Sequence, residues 1–321
     1  MKALICGVTG QDGSYLAKLL VDKGYEVVGT SRDAMVASFT NLERLGIRNR
    51  VALTSMAIND FRSVLSVVQR HKPDEIYNLA GQTSVGLSFD QPVEAIESIA
   101  QGTLNMLESI RFVGRPVRFY NAGSSECFGD TRTGPADEET PFQPRSPYAV
   151  AKASAHWLVR NYRDAYGLYA CTGILFNHES PLRPERFVTQ KIIQAAARIA
   201  QNKTGVLELG NIEIQRDWGW APDYVEAMWK MLCQEQADDY VIATGTTRSL
   251  AYFIERAFAW FGLDWEVHVR FNNELRRPSD ISISQGNPSK AAKHLGWEAR
   301  LDVDAVIDKM CSAIAENSST R

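Results

Sequence analysis

A chain of 321 residues is long enough to bury a sizeable core, as one long domain or as two interlocked lobes. Hydrophobic residues at 45% and charged residues at 23% are ordinary for a globular protein, and a net charge of -3 argues against a generic nucleic-acid or membrane binder, so any anionic ligand must be held by locally placed Arg and Lys. No apolar run reaches membrane-span length and the N-terminal one lacks a signal-peptide layout. The cysteines (Cys6, Cys127, Cys171, Cys233, Cys311) are odd in number and without a C-x-x-C pair, which favours reduced cytoplasmic thiols over disulfides or a metal site.

In chain order the spacing predicts strands over 3–6, 26–30, 51–54, 75–78, 117–121 and 169–175, alternating with helices over 13–23, 61–70, 93–111 and 146–166. Strands separated by helices imply right-handed crossovers and a parallel sheet covered on both faces, the doubly wound α/β class with a Rossmann-type sheet. Beyond Phe176 the alternation becomes irregular, punctuated by Pro181, Pro184, Pro222, Pro278 and Pro288. The expected organisation is a nucleotide-binding domain over 1–176, to which 222–248 return, and a smaller C-terminal substrate-binding lobe over 177–321. The polar end from Glu316 is expected to fray.

The first strand runs into Gly7-Val8-Thr9-Gly10-Gln11-Asp12-Gly13, spaced G-x-x-G-x-x-G. Glycines there let the backbone turn tightly and approach a pyrophosphate, and the following helix offers its unpaired N–H groups to the phosphates. The second strand ends in Thr30-Ser31-Arg32. Arg32 suits bidentate pairing with a 2′-phosphate and so NADP; Asp33, one position on, is the alternative and would serve NAD.

Tyr148 and Lys152 form Y-x-x-x-K on the helix over 146–166, where i,i+4 spacing puts both on one face. An ammonium beside a phenol is expected to lower the Tyr pKa from its usual ~10 and make it a usable base. Before them, the strand end Asn121-Ala122-Gly123-Ser124-Ser125-Glu126 places hydroxyls at the carboxyl edge of the sheet, where open α/β sheets bind ligands. Ser124 is placed to hydrogen-bond a substrate hydroxyl. Glu126 adds a carboxylate that simple alcohol oxidation does not need, and suits removal of a carbon-bound proton next to a ketone.

On these residues the chain resembles the extended short-chain dehydrogenases/reductases and, within them, the GDP-mannose 4,6-dehydratase family. The resemblance runs along nearly the whole chain, through Tyr77-Asn78-Leu79-Ala80 with Gln82, Arg145-Ser146-Pro147-Tyr148, Asn177-His178-Glu179-Ser180-Pro181, Phe187-Val188-Thr189, Arg216-Asp217-Trp218-Gly219, Asp223-Tyr224-Val225-Glu226-Ala227 and Leu295-Gly296-Trp297. It implies an NADP-dependent enzyme acting on a GDP-sugar, with Ser124, Glu126, Tyr148 and Lys152 catalytic. The cofactor would lie on Gly7, Thr9, Gly10, Gln11, Asp12, Gly13, Arg32, Leu79 and Ala80, and on Tyr148 and Lys152. Ser84, Asn177, Lys191, Arg216 and Arg277 would contact substrate, the two arginines as diphosphate clamps. His178 reads as a structural hydrogen-bonding residue and Trp218 as a packing wall.

Departures from the family pattern are Ser124 for Thr, Gly123 for Ser, which is expected to loosen that strand end, and Ala57 where an Asp usually lies near the adenine. The Arg-rich loop through which relatives reach a neighbouring subunit's cofactor is reduced to Arg32-Asp33-Ala34-Met35, so homodimer and homotetramer both stay open. An epimerase or reductase on the same scaffold needs Tyr148 and Lys152 but not Glu126; a non-catalytic nucleotide-binding scaffold needs none of the four.

Overall fold

Six short runs, β1 (Lys2–Cys6), β2 (Glu26–Ser31), β3 (Val51–Ser55), β4 (Glu75–Asn78), β5 (Arg118–Ala122) and β6 (Ala170–Leu175), build the main sheet in a computed structural model that describes residues 1–275 and 277–319. The central strands β4 and β6 are buried at every position, as expected for parallel strands covered on both faces. The chain then departs through β7 (Asn177–Glu179), β8 (Leu207–Leu209) and β9 (Gln215–Trp220), and returns to the sheet as β10 (Tyr240–Ile242). It departs again through β11 (Thr247–Ser249), β12 (Val269–Phe271) and β13 (Ile283–Ser284). The main sheet runs β10-β6-β5-β4-β1-β2-β3, and every neighbouring pair is parallel.

The strand order reverses direction between β1 and β4, and the register there sets Cys6 beside Asn78 and Asn78 beside Asn121. The carboxyl ends of β1, β4 and β5 are therefore level, and the turns that leave them open into one crevice at the switch point. Beneath it, the Asn78 amide donates to Asn121 Oδ1 at 3.0 Å and Thr103 Oγ1 at 3.2 Å, tying the strands to the helix behind.

The helices begin where the local chemistry starts them. Asp60 caps Phe61–His71 by accepting from Arg62 N and Ser63 N, and Ser146 caps Pro147–Tyr166, with Pro147 in the first turn and Gly167 in the left-handed conformation that closes it. The helix expected over 93–111 is continuous from Pro92 to Val113 but carries one π turn at Glu97–Gln101. Two features mark that turn: the Ser98 hydroxyl donates to Glu94 O while accepting from Gln82 N, and a Cβ on Gly102 would stand 3.0 Å from Ile58.

The second lobe gathers β7, β9, β11 and β13 around β9, with Asn177 beside Trp218 and Ser284 beside Arg216. Its core packs Ile192 and Ile193 of the helix Val188–Asn202 against Phe253 and Phe258 of Leu250–Trp260 and Ile307 and Met310 of Val303–Ser319. Of the expected return over 222–248, the stretch through β10 lies with the main sheet, where Tyr224 and Met228 join Ile5, Leu16 and Leu20 in one core, whereas Thr247 and Arg248 belong to the lobe, because β11 pairs with β9. The main-sheet side also claims a segment assigned by spacing to the lobe: Ala291, Leu295 and Trp297 enter the same core, and the Trp297 indole donates to Asp223 O at 2.8 Å. The last helix is assigned through Ser319, and residues 320–321 of the polar end lie outside the described residues.

Candidate active site

The turn after β1 fits a dinucleotide. Gly7 adopts a φ of 82°, and a Cβ on Gly13 would stand 2.8 Å from Val8 Cα, so the helix Gln11–Asp22 begins pressed against the strand. Gly10, by contrast, faces open space, its added Cβ meeting only Gly7 O at 3.4 Å. No side chain caps that helix, which leaves first-turn N–H groups for phosphate oxygens. Asn41 holds the turn from outside by donating to Thr9 O, and Gln11 does so from below by donating to His178 O.

Asp12 faces the crevice between this turn and the lobe. Burial works against its ionisation, but the His178 ring 2.9 Å away and the Arg183 charge outweigh it and lower its pKa to about 2. His178 is held on three sides: its Nδ1 meets Phe176 O at 2.7 Å, its Nε2 meets Asp12, and its face stacks on Tyr224 at 4.4 Å. Leu79 lines the crevice and Ala80 follows it off β4, both beside Gly7, where a side chain would meet Leu79 O and Ala80 Cα within about 3.1 Å. Arg32 lies at the end of β2, 82% exposed and paired with Glu94 at 3.2 Å.

From that turn a cleft of about 410 Å³ extends into the lobe, and it collects side chains from both. Ser124, Glu126, Tyr148 and Lys152 line it together with Ser84, Asn177, Lys191, Arg216 and Arg277. All nine expected catalytic and substrate residues thus share one wall. Ser84 starts the helix Val85–Asp90 by accepting from Leu87 N, Asn177 opens β7, and Lys191 extends from the first turn of Val188–Asn202 to donate to Glu208 O. Trp218 lines the same cleft but is 2% exposed and packs on Phe253 at 5.3 Å, as a wall does.

Ser124 caps the short turn Ser125–Phe128, its hydroxyl accepting from Glu126 N at 3.3 Å, so the serine positions the carboxylate behind it. Burial raises the Glu126 pKa; Arg216 and Arg277 pull it back and Asp280 pushes with burial. Gly123 does not loosen this strand end. A Cβ there would stand 2.7 Å from Thr172 and 2.9 Å from Gly173 O, while Gly123 N donates to that same carbonyl, so the close approach of β6 requires glycine.

The Tyr148 phenol departs from expectation. Burial pushes its pKa up; the Ser124 hydroxyl beside it and the Arg183 charge act the other way. Lys152 does not carry the lowering expected of it, because its Nζ sits 5.8 Å from the Tyr148 ring centroid and donates to Ala122 O at 2.7 Å. Burial lowers the Lys152 pKa to about 8.

Two cleft residues escaped the sequence reading as site groups. Arg183 pairs with Glu179 at 2.8 Å and donates to His178 O, Arg186 reaches across the cleft to Thr83 Oγ1 at 3.3 Å, and both guanidiniums stack on Phe187. The i,i+4 spacing of Glu179 and Arg183 was the available signal, but it did not say that the pair faces a ligand.

Residues 4–310 match the family described as GDP-mannose 4,6 dehydratase. The chain is 45% identical over 318 residues to GDP-mannose 4,6 dehydratase 1 of Arabidopsis thaliana, covering 96% of this chain and 88% of that protein. It is 43% identical over 341 residues to GDP-mannose 4,6-dehydratase of Sinorhizobium fredii, covering 99% and 96%. Among solved structures, a dTDP-glucose 4,6-dehydratase from Streptomyces venezuelae with NAD bound superposes with a TM-score of 0.89 at 21% identity, covering 100% of this chain and 98% of that one. A UDP-glucose 4-epimerase from Thermotoga maritima does so with a TM-score of 0.88 at 21% identity, covering 99% and 100%. Those two likenesses show the fold. With a match from residue 4 to 310 and more than two-fifths of positions identical to relatives over nearly their full length, the chain belongs to the GDP-mannose 4,6-dehydratase family.

Proposed function

We propose that the cleft takes GDP-mannose and releases GDP-4-keto-6-deoxy-mannose, with NADP rather than NAD on the glycine turn, which makes the enzyme a lyase. The observation that carries this reading is Glu126: a carboxylate with burial-raised proton affinity lining the same cleft as Ser124, Tyr148 and Lys152, where a plain oxidation or a 4-epimerisation has no use for it.

A nicotinamide dinucleotide held on the glycine turn would supply the hydride acceptor for C4 and the hydride donor for C6. Tyr148 takes the C4 hydroxyl proton; burial opposes the phenolate, and the Ser124 hydroxyl and Arg183 charge favour it. The ketone at C4 acidifies C5–H, and Glu126 removes that proton, its raised pKa making it a stronger base than an exposed carboxylate. Protonated, the same Glu126 protonates the hydroxyl that leaves C6 as water, and the proton that Tyr148 took from the C4 hydroxyl balances the one that returns to C5 as hydride reaches C6. Arg216, Arg277 and Lys191, which line the same cleft as Glu126, hold the diphosphate and so anchor the hexose at the carboxylate.

Assembly into a homodimer or homotetramer is supported by apolar side chains standing in solvent on two helices that pack together: Val93, Ile96 and Phe112 on one, Val150 and Trp157 on the other. Sedimentation of the purified chain tests it, a monomer being the adverse result.

The activity itself is tested by incubating the purified protein with NADP and GDP-mannose and weighing the product. Loss of one water from the sugar nucleotide is expected. An unchanged mass with an epimerised sugar would replace the dehydratase with an epimerase.

A further inference from the structure

Arg216 and Arg277 share one counter-ion. Asp280 Oδ1 lies 3.3 Å from Arg216 Nη2 and 3.5 Å from Arg277 Nη1, and among the described residues no other carboxylate is ion-paired with either. The two arginines are otherwise unlike. Arg216 is 5% exposed, anchored in β9 and donating to Gln215 O, whereas Arg277 is 36% exposed on an irregular stretch.

Asp280 sits on a firm frame. Its Oδ1 also accepts from Ile281 N at 3.1 Å, the next residue donates from Ser282 N to Asp130, and Ser282 O accepts from Gln215 N at 2.7 Å. The chain then enters β13, which pairs with β9 so that Ser284 lies beside Arg216. Asp130 belongs to the loop that follows the Glu126 turn, so one stitched unit carries Glu126, Arg216 and Asp280, and among the described residues Arg277's ion pair with it is the one to the Asp280 carboxylate.

Two guanidiniums brought side by side repel each other unless an anion lies between them. We propose that Asp280 is a positioning residue that holds Arg277 beside Arg216 before substrate arrives, so that a nucleoside diphosphate meets a ready-made pair of guanidinium forks instead of ordering one of them on binding. This rests on the assignment of the cleft to a GDP-sugar. The gain lies in preorganisation: the flexible, half-exposed arginine loses its freedom in the folded protein and not at the moment of binding.

The test is a double-mutant cycle on GDP affinity, measured by calorimetry on the holoenzyme, with Asp280→Asn, Arg277→Ala and the pair combined. Asp280→Asn should weaken GDP about tenfold and raise KM for GDP-mannose in parallel, with kcat changed less than about threefold. In the Arg277→Ala background the same substitution should change GDP affinity less than about twofold, because the residue it acts through is gone. Cofactor affinity should not move, a readout that a general loss of structure would shift. Asp280→Glu, which keeps the charge on a longer stem, gives the same cycle in a second variant should the Asn form fold poorly. Unchanged or tighter GDP binding by both variants, or losses that add fully to that of Arg277→Ala, would overturn the proposal. Failure of the wild-type enzyme to bind GDP would bring down the substrate assignment, and this proposal with it.

Discussion

The two ends of the cleft are built in different ways. The cofactor end is local: Gly7 to Gly13 are consecutive, and Leu79 and Ala80 reach them because β1 and β4 are paired in register. The end proposed to take the sugar nucleotide is assembled from Asn177, Lys191, Arg216 and Arg277, which come from four segments joined by short strands such as Ile283–Ser284 against Gln215–Arg216. The first end depends on backbone geometry that a glycine spacing records. The second depends on charge placement that only long-range packing creates. The residues proposed as catalytic lie where the two meet, and the variants below probe that junction and then each end in turn.

The largest effect is expected at the junction. Glu126→Gln keeps shape but removes the base, and should slow water loss on the order of 10³-fold, within the range for a positioned proton-transfer group. The variant should still oxidise C4, seen as the absorbance of reduced nicotinamide, but should lose exchange of the C5 proton with deuterium from solvent. Retained exchange would move the base elsewhere. Ser124→Ala should slow turnover about 10²-fold. The structure adds a reason beyond the hydroxyl at the substrate, since Ser124 also caps the turn that carries Glu126. Ser124→Thr keeps both roles and restricts the rotamer, so its rate should equal or exceed that of the parent. A rate for Ser124→Ala matching that of Ser124→Thr would reduce Ser124 to a piece of strand end.

The lobe end is probed through Asp217, next to Arg216 and fully buried, whose carboxylate accepts from Thr244 N, the Thr244 hydroxyl and Gly245 N. Those bonds fasten the turn before β11 to β9. Asp217→Asn presents an N–H₂ where one of these donors points and should destabilise the protein by about 1–3 kcal/mol, the cost of a buried donor left unpaired. The pH dependence has a definite sign. Burial raises the Asp217 pKa from 3.8 to about 6 against the pull of its donors. In that window the folded state keeps a proton that the unfolded chain has released, so this group makes stability fall as pH rises from 3.8 to about 6. Thermal melts of Asp217→Asn across that range should show a flatter decline than the parent; parallel curves would mean the carboxyl is ionised throughout.

The same division explains what could be read from the sequence. Strands β1 to β6 begin and end within a residue of expectation because each is a short apolar run between turn residues. That Ser124, Glu126, Tyr148 and Lys152 share one cleft was legible because they fall in two compact motifs, Ser124 with Glu126 and Tyr148 with Lys152. The helices Val188–Asn202, Leu250–Trp260 and Val303–Ser319 were hidden by the irregular prolines around them, and they find their apolar partners in one another and in distant lobe residues such as Leu207, Ile214 and Trp218. Arg183 and Arg186 gave no functional signal because what they face is set by the fold of the lobe. The lowered Tyr148 pKa failed for a similar reason: i,i+4 spacing places Lys152 on the right face, but its ammonium turns to Ala122 O instead of the phenol. Gly123 looked like a loosened family position until the approach of β6 showed that no other residue fits.

The smallest expected effect belongs to Arg32 and sharpens the cofactor end, where local geometry says least about which dinucleotide is held. A glycine turn recognises a pyrophosphate common to NAD and NADP; only a group past the end of β2 can read the 2′-phosphate. Arg32 is in that place, but it is exposed and already paired with Glu94 in solvent. An exposed ion pair contributes about 0–1 kcal/mol, so giving up Glu94 for a phosphate costs little and the exchange is available. The same exposure limits the gain. Arg32→Ala should therefore weaken NADP by only about 3- to 10-fold and leave NAD unchanged. Glu94→Gln should tighten NADP slightly by freeing the guanidinium. Equal loss of both dinucleotides on Arg32→Ala would show that Arg32 supports the turn rather than reading the phosphate, and the preference for NADP would then have to come from outside β2. A loss confined to NADP, with NADP affinity falling as salt rises in the parent but not in the variant, would place the discrimination on this one charge.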